Sequence, residues 1–186
     1  FFDSRIPDDK FLALGSPKFD SVIHKCQNPP ELPPEWKDKM TGRKIYFYNT
    51  SIGGMLANTD GFLQKMRYVF DTFRGRDDVC LLWRPHPLMD SSFDSMRRQY
   101  KAQYDALKRE YAAHNIGILD ETPDIENAIA LSDAYIGDSA TSVTSLFGAA
   151  GKPLFILNNH INTLPEKDDW RGEWLLPQFD IWGNDK

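Results

Sequence analysis

Between Lys44 and Leu157 the apolar positions follow two habits: short unbroken runs, and longer stretches in which they recur every three or four residues. Short runs bounded by turn residues predict buried strands, and the longer spacing predicts amphipathic helices. The strand candidates are Ile45 to Tyr48, Val79 to Trp83, Ile116 to Leu119, Ala134 to Gly137 and Pro153 to Leu157. Phe62, Met66, Val69 or Phe70, and Phe73 mark one helix between them, with caps offered by Asn58 to Asp60 and Gly75 just beyond its end. Phe93, Met96, Tyr100, Tyr104, Leu107 and Tyr111 describe one face of a long helix whose other face is charged and solvated. Thr122-Pro123-Asp124 caps a short helix through Ile129, and Thr141 to Ala150 is a helix of small residues. This alternation predicts βαβ units and an α/β fold, a Rossmann-like parallel sheet with helices on both faces.

The flanks read differently. Phe11 to Leu14 is a short strand-like run that breaks at Gly15-Ser16-Pro17, where Ser16 suits an N-cap and Pro17 a first helical residue. A helix then follows through Phe19, Val22 and Ile23. Asn28 to Pro34 holds four prolines in seven residues, which predicts a loop, taken over 28–41, leading into the sheet. Asn49 to Gly54 reads as a small polar turn after the first core strand. In the tail, Trp170, Trp174, Phe179 and Trp182 crowd a segment rich in Asp, Glu and Pro. These aromatics either cover the sheet edge or dock against another domain. The expected division is a nucleotide-binding domain over 1–158 and an aromatic C-terminal segment over 159–186.

Composition narrows the function. With 41% apolar and 13% aromatic residues the 186-residue chain can bury a core, and its net charge of −5 argues against broad nucleic-acid binding. Any anion site must be local. Cys26 and Cys80 have no metal-type spacing and read as reduced packing residues, and four histidines without paired spacing make a bound zinc improbable. No metal or cofactor is expected. No apolar run approaches the roughly 18 to 20 residues of a membrane span, and a cytoplasmic setting is expected. The start at Phe1, within ordinary globular sequence, suggests a part of something longer.

The candidate chemistry lies where the strands end. In a doubly wound sheet the loops after neighbouring strands converge, and their N–H groups and helix N-termini favour anions. Three such loops are polar: Asn49-Thr50-Ser51 onward, Arg84-Pro85-His86-Pro87, and Gly137-Asp138-Ser139-Ala140-Thr141-Ser142. Arg84 supplies a cation, and His86 sits between prolines that present its imidazole. Thr141 and Ser142 add hydroxyls at a helix start, although Ser139 or Thr141 there also reads as a plain N-cap. There is no Gly-x-x-x-x-Gly-Lys-Ser/Thr loop, Gly-x-Ser-x-Gly elbow or Gly-x-Gly-x-x-Gly turn.

Leu14-Gly15-Ser16-Pro17-Lys18-Phe19-Asp20, Arg84-Pro85-His86-Pro87, Ser132-Asp133-Ala134-Tyr135, Thr141-Ser142 and Gly151-Lys152-Pro153 together resemble the CDP-glycerol glycerophosphotransferase family of teichoic acid biosynthesis. The resemblance covers about residues 11 to 158 and corresponds to the carboxyl-terminal half of a two-domain GT-B architecture. It implies a donor site for CDP-glycerol or a related nucleotide-linked alcohol. It also implies a polymer or lipid-linked acceptor, and a peripheral place at the inner membrane face through the parent protein. His86 would contact the donor phosphates and aid departure of CMP, and Arg84 would add charge beside it. Asp138, Ser139, Thr141 and Ser142 would hold the phosphates, with Asn49, Thr50 and Ser51 alongside, and Gly15 and Ser16 would form the hinge-side turn.

Two departures stand out. Where the family often has Asp-Tyr-Ser-Ser, this chain has Ser139-Ala140-Thr141-Ser142, with Asp138 displaced by one position. Where it commonly has an acidic residue four positions after the serines, this chain has Leu146. The family's presumed base belongs to an amino-terminal half, so this segment is expected to bind donor without turnover. The alternatives are another GT-B glycosyltransferase, a sugar-nucleotide 2-epimerase half, or a stand-alone nucleotide-binding module. An epimerase calls for acidic residues where Thr144, Ser145 and Leu146 stand.

Overall fold

Alternation along the central strands decides the layering. In the computed structural model, which describes residues 14–139, 141–157 and the backbone of 179–182, Ile45 and Phe47 face one side of the sheet. Tyr46 and Tyr48 face the other. The same split recurs in the next strand, with Cys80 and Leu82 on the first side and Val79, Leu81 and Trp83 on the second. Each side therefore needs its own cover of helices.

In chain order the elements are α1 (Pro17–Gln27), α2 (Pro34–Met40), β1 (Lys44–Thr50), α3 (Ile52–Ala57), α4 (Thr59–Phe73), β2 (Val79–Pro85) and α5 (Met89–Met96). Then come α6 (Lys101–Ala113), β3 (Gly117–Leu119), α7 (Ile125–Leu131), β4 (Ala134–Gly137), α8 (Ser142–Ala149), β5 (Leu154–Leu157) and β6 (Phe179–Trp182). The sheet order is β3-β2-β1-β4-β5-β6; the first five strands are parallel and β6 runs antiparallel to β5. This is the expected α/β Rossmann-like arrangement. Helices α4, α5 and α6 cover the Tyr48 and Trp83 side, where Phe70, Trp83 and Tyr111 meet at ring distances of 4.7 to 5.2 Å. Helices α1, α2, α7 and α8 cover the side of Phe47 and Tyr135.

Three expectations need correction. The loop expected over 28–41 contains α2, because Pro33 is its N-cap and Pro34 its first residue, where a missing N–H costs nothing. Trp36 and Met40, one turn apart, are its buried face. The polar turn Asn49 to Gly54 opens into α3, capped by the Ser51 side chain. The single long helix from Phe93 to Tyr111 is broken at Arg97 (φ −140°), with a 3₁₀ turn over Arg98–Tyr100. Arg97 turns its guanidinium back onto the Leu56 carbonyl and the Thr59 hydroxyl, and both pieces still face one core, so the apolar spacing runs on through the break. In the tail, Phe179–Trp182 extends the sheet as an edge strand. Phe11 to Ala13, Trp170 and Trp174 lie outside the described residues, and Cys26 and Cys80 are free thiols.

Two local features carry the predictions here. A Cβ on Gly117 would lie 1.9 Å from the Leu81 carbonyl oxygen and 2.6 Å from the Tyr111 hydroxyl. Gly117→Ala is expected to cost about 3 kcal/mol or more in chemical denaturation, since β2, β3 and α6 must all shift. On the opposite face Lys25 of α1 pairs with Asp124 at 2.6 Å. That hydrogen bond holds the Asp124 carboxyl below the usual carboxylate range. The pair therefore stabilises above an unfolded carboxylate value near 3.9 and is lost as pH falls through the lower folded value. Both side chains reach solvent, so Asp124→Asn is expected to lower stability by at most about 1 kcal/mol at neutral pH. The difference should shrink as denaturation is repeated at lower pH, below the unfolded carboxylate value.

Candidate functional site

The sheet reverses its direction of growth between β1 and β4: β2 and β3 lie beyond β1, and β5 beyond β4. At such a switch point the two outgoing loops part and leave a crevice at the carboxyl edge. Here a buried carboxylate ties the two loops together. Asp138, only 5% exposed, accepts the Ser51 N–H at 2.9 Å and the Ser51 hydroxyl at 2.6 Å through Oδ2, and pairs with Lys65 through Oδ1. Lys65, from the middle of α4, is 1% exposed. Two charges buried this far from water are tolerated because each neutralises the other and the carboxylate takes three donors. Gly54 makes room for this, since a Cβ there would lie 2.7 Å from Asp138 Oδ2. The Tyr135 hydroxyl donates to the Asp138 carbonyl at 2.7 Å, and burial pushes that hydroxyl's pKa well up.

Of the expected site residues, Ser51 and Asp138 are thus brought together. Thr50 is buried, its hydroxyl accepting from the Trp83 indole at 3.2 Å, and its carbonyl accepts the His86 N–H at 3.1 Å. Asn49 is buried opposite Gly137, whose φ of +149° and 2.4 Å gap between an added Cβ and the Asn49 carbonyl exclude a side chain. Ser139 and Ser142 are exposed. Thr141 is the N-cap of α8 and makes no side-chain cap bond; its Oγ1 is buried near the Tyr135 hydroxyl without a hydrogen-bond partner among the described residues. The first turn of α8 is therefore left uncapped by side chains, with Ser139 and Ser142 on its solvent side.

Arg84 has a different setting from the one expected. The residue is 7% exposed, and one guanidinium nitrogen pairs with Asp120 at 2.5 Å while the second donates to the Thr122 carbonyl at 2.6 Å. Asp120 in turn accepts the Thr122 N–H at 2.9 Å and hydroxyl at 2.7 Å. The charge is spent on clamping the loop after β3 to the end of β2. His86, two residues on, is exposed at the same edge, and its Nδ1 accepts the Leu88 N–H at 3.1 Å. Among the described residues no hydrogen bond links His86 to Thr141 or Ser142, or either to Gly15 or Ser16. Gly15 is exposed with φ +77°, and Ser16 caps α1 through its backbone alone, accepting the Phe19 N–H at 2.9 Å.

Two charged residues of this edge escape a search for motifs, Lys65 and Asp120. Lys65 betrays itself by position, three residues after Phe62 and four before Val69, on the apolar stripe of α4. Asp120 follows directly on a strand run, as Arg84 ends one and Asp138 follows another. Asp138→Asn is expected to cost about 3 to 5 kcal/mol in urea denaturation, because it removes the negative member of a buried, hydrogen-bonded ion pair. Adding Lys65→Met should then recover at least about 1 kcal/mol; strictly additive losses would exclude the coupling.

No family model matches the chain, and no curated protein matches it. Among solved structures it is similar to the wall teichoic acid polymerase TagF, with a TM-score of 0.53 and 18% identity over 84% of this chain and 35% of that one. The chain thus spans about a third of that protein's length. At this identity the likeness shows the fold: the Rossmann-like domain described here has its counterpart within a wall teichoic acid polymerase, in keeping with the resemblance drawn from the short motifs.

Proposed function

We propose that this chain is the donor-binding part of a transferase that passes glycerophosphate from CDP-glycerol, or a close nucleotide-linked relative, to a polymer or lipid-linked acceptor. One observation carries the proposal. In a fold shared with a wall teichoic acid polymerase, the His-Pro motif leaves His86 exposed at the carboxyl edge of β2, on a backbone hydrogen-bonded to β1. The donor diphosphate lies between His86 and the start of α8, where the exposed hydroxyls of Ser139 and Ser142 and the N–H groups that follow Thr141 meet it. Asp138, Ser51 and Lys65 act beneath it, holding the two loops at fixed separation. Arg84 serves as a positioning residue, since its clamp on Asp120 and Thr122 fixes the end of the strand that delivers His86.

Transfer needs little covalent chemistry from such a site. The acceptor hydroxyl oxygen forms the new P–O bond, the anhydride P–O bond breaks, and its electron pair leaves on CMP. The hydroxyl proton goes to a base in the remainder of the enzyme. This domain's share is orientation of the phosphates and stabilisation of charge on their oxygens. Among the described residues no helix is long and apolar enough to cross a membrane, and membrane contact would come through the rest of the protein.

Calorimetric titration of the chain with CMP, CDP-glycerol, UDP and UDP-sugars tests the assignment. Cytidine ligands should bind more tightly than uridine ligands. His86→Ala should weaken CDP-glycerol by about 10- to 100-fold, the worth of one hydrogen bond to a charged group, with no change in melting temperature. Tighter binding of uridine ligands would overturn the assignment in favour of an epimerase or another glycosyltransferase.

A further inference from the structure

We infer that the Leu88 backbone amide fixes the proton of the neutral His86 imidazole on Nε2, so that the ring meets its ligand as a hydrogen-bond donor and not as a base. The inference rests on the reading of His86 as the group that faces the donor phosphates.

The geometry begins with Pro87. The His86 carbonyl accepts the Met89 N–H at 2.8 Å, and Leu88 has φ −93° and ψ 12°. These are the third-position angles and closing bond of a type I turn, whose second position favours proline. Residues 86–89 therefore form a turn that Pro87 presets. Within it the Leu88 N–H points back at the first side chain, as in an Asx turn, with the imidazole in place of a carboxylate or amide. The Leu88 N–H donates to His86 Nδ1 at 3.1 Å. A backbone amide can only donate, so Nδ1 must present its lone pair. A neutral imidazole has one N–H, and Nε2 must bear it.

The consequence is chemical. Nε2–H points away from the turn, on an exposed side chain, where it can donate to a phosphate oxygen or to the bridging oxygen of a departing nucleotide. In this form Nε2 has no lone pair with which to accept the proton of an acceptor hydroxyl. The His-Pro pair thus sets both the position of the ring and which nitrogen carries hydrogen. Leu88 acts through His86 as a positioning residue, through its backbone alone. His114 offers an internal contrast: its Nδ1 faces the Glu110 carbonyl at 3.0 Å, so there the proton sits on Nδ1.

Ring-nitrogen NMR of the ¹⁵N-labelled chain at about pH 8.5, above the ordinary imidazole value of about 6.5, reads the tautomers directly. His86 should show a bare Nδ1 and a protonated Nε2, and His114 the reverse. A His86 spectrum with the proton on Nδ1, or shared between the nitrogens, overturns the assignment and leaves the donor-site reading standing. Calorimetry with CDP-glycerol then tests the role. His86→Gln places an amide donor near the Nε2 position, whereas His86→Asn keeps only an acceptor near Nδ1. Gln should retain most of the affinity, while Asn and Ala lose about 10-fold or more. Gln no better than Ala overturns the donor role alone. Wild-type affinity in all three variants overturns both that role and the reading beneath it.

Discussion

A carboxylate with almost no access to water holds together the two loops between which the sheet reverses. Asp138 takes the Ser51 amide and hydroxyl from the loop after β1 and the Lys65 ammonium from α4, while its own carbonyl is tied to Tyr135. Without that carboxylate the loop after β1 loses its anchor, and the start of α8 loses its fixed distance from β1. The two loops at the carboxyl edge keep their separation because a buried ion pair and the Ser51 bonds tie them together.

The same economy governs the other charges at this edge. Arg84, next to last in β2, is neutralised by Asp120 and Lys65 of α4 by Asp138, so these two cations stabilise loops and do not face solvent. Among the described residues of this edge, what remains available to an anion is softer: the first turn of α8, the exposed hydroxyls of Ser139 and Ser142, and the imidazole of His86. Groups of this kind grip a diphosphate through oriented N–H and O–H dipoles more than through net charge. That suits a chain whose formal net charge is −5.

Much of this was legible in the residues. Unbroken apolar runs mark the core strands because parallel strands are buried on both faces. The polar residues that end those runs mark the carboxyl edge. The errors have physical causes. Prolines at 33 and 34 suggested a loop, but at a helix start proline is harmless, and α2 follows. The three-to-four spacing from Phe93 to Tyr111 survived the break at Arg97 because α5 and α6 pack on the same core. The residue type of Arg84 says nothing of Asp120, the partner 36 positions away in the chain that takes up its charge. Lys65 gives no signal by type, because a lysine among apolar residues stands out only once its acid partner is located.

Amide shift mapping of the ¹⁵N-labelled chain on adding CDP-glycerol tests most directly whether the carboxyl edge is the ligand site. The account predicts perturbations clustered on His86, Leu88, Ser139 and Ser142, with smaller ones at Ser51 and Asp138 beneath them. Perturbations centred on Arg43, Asp78 and Asp133 at the amino edge of the sheet, or none at all, would contradict it.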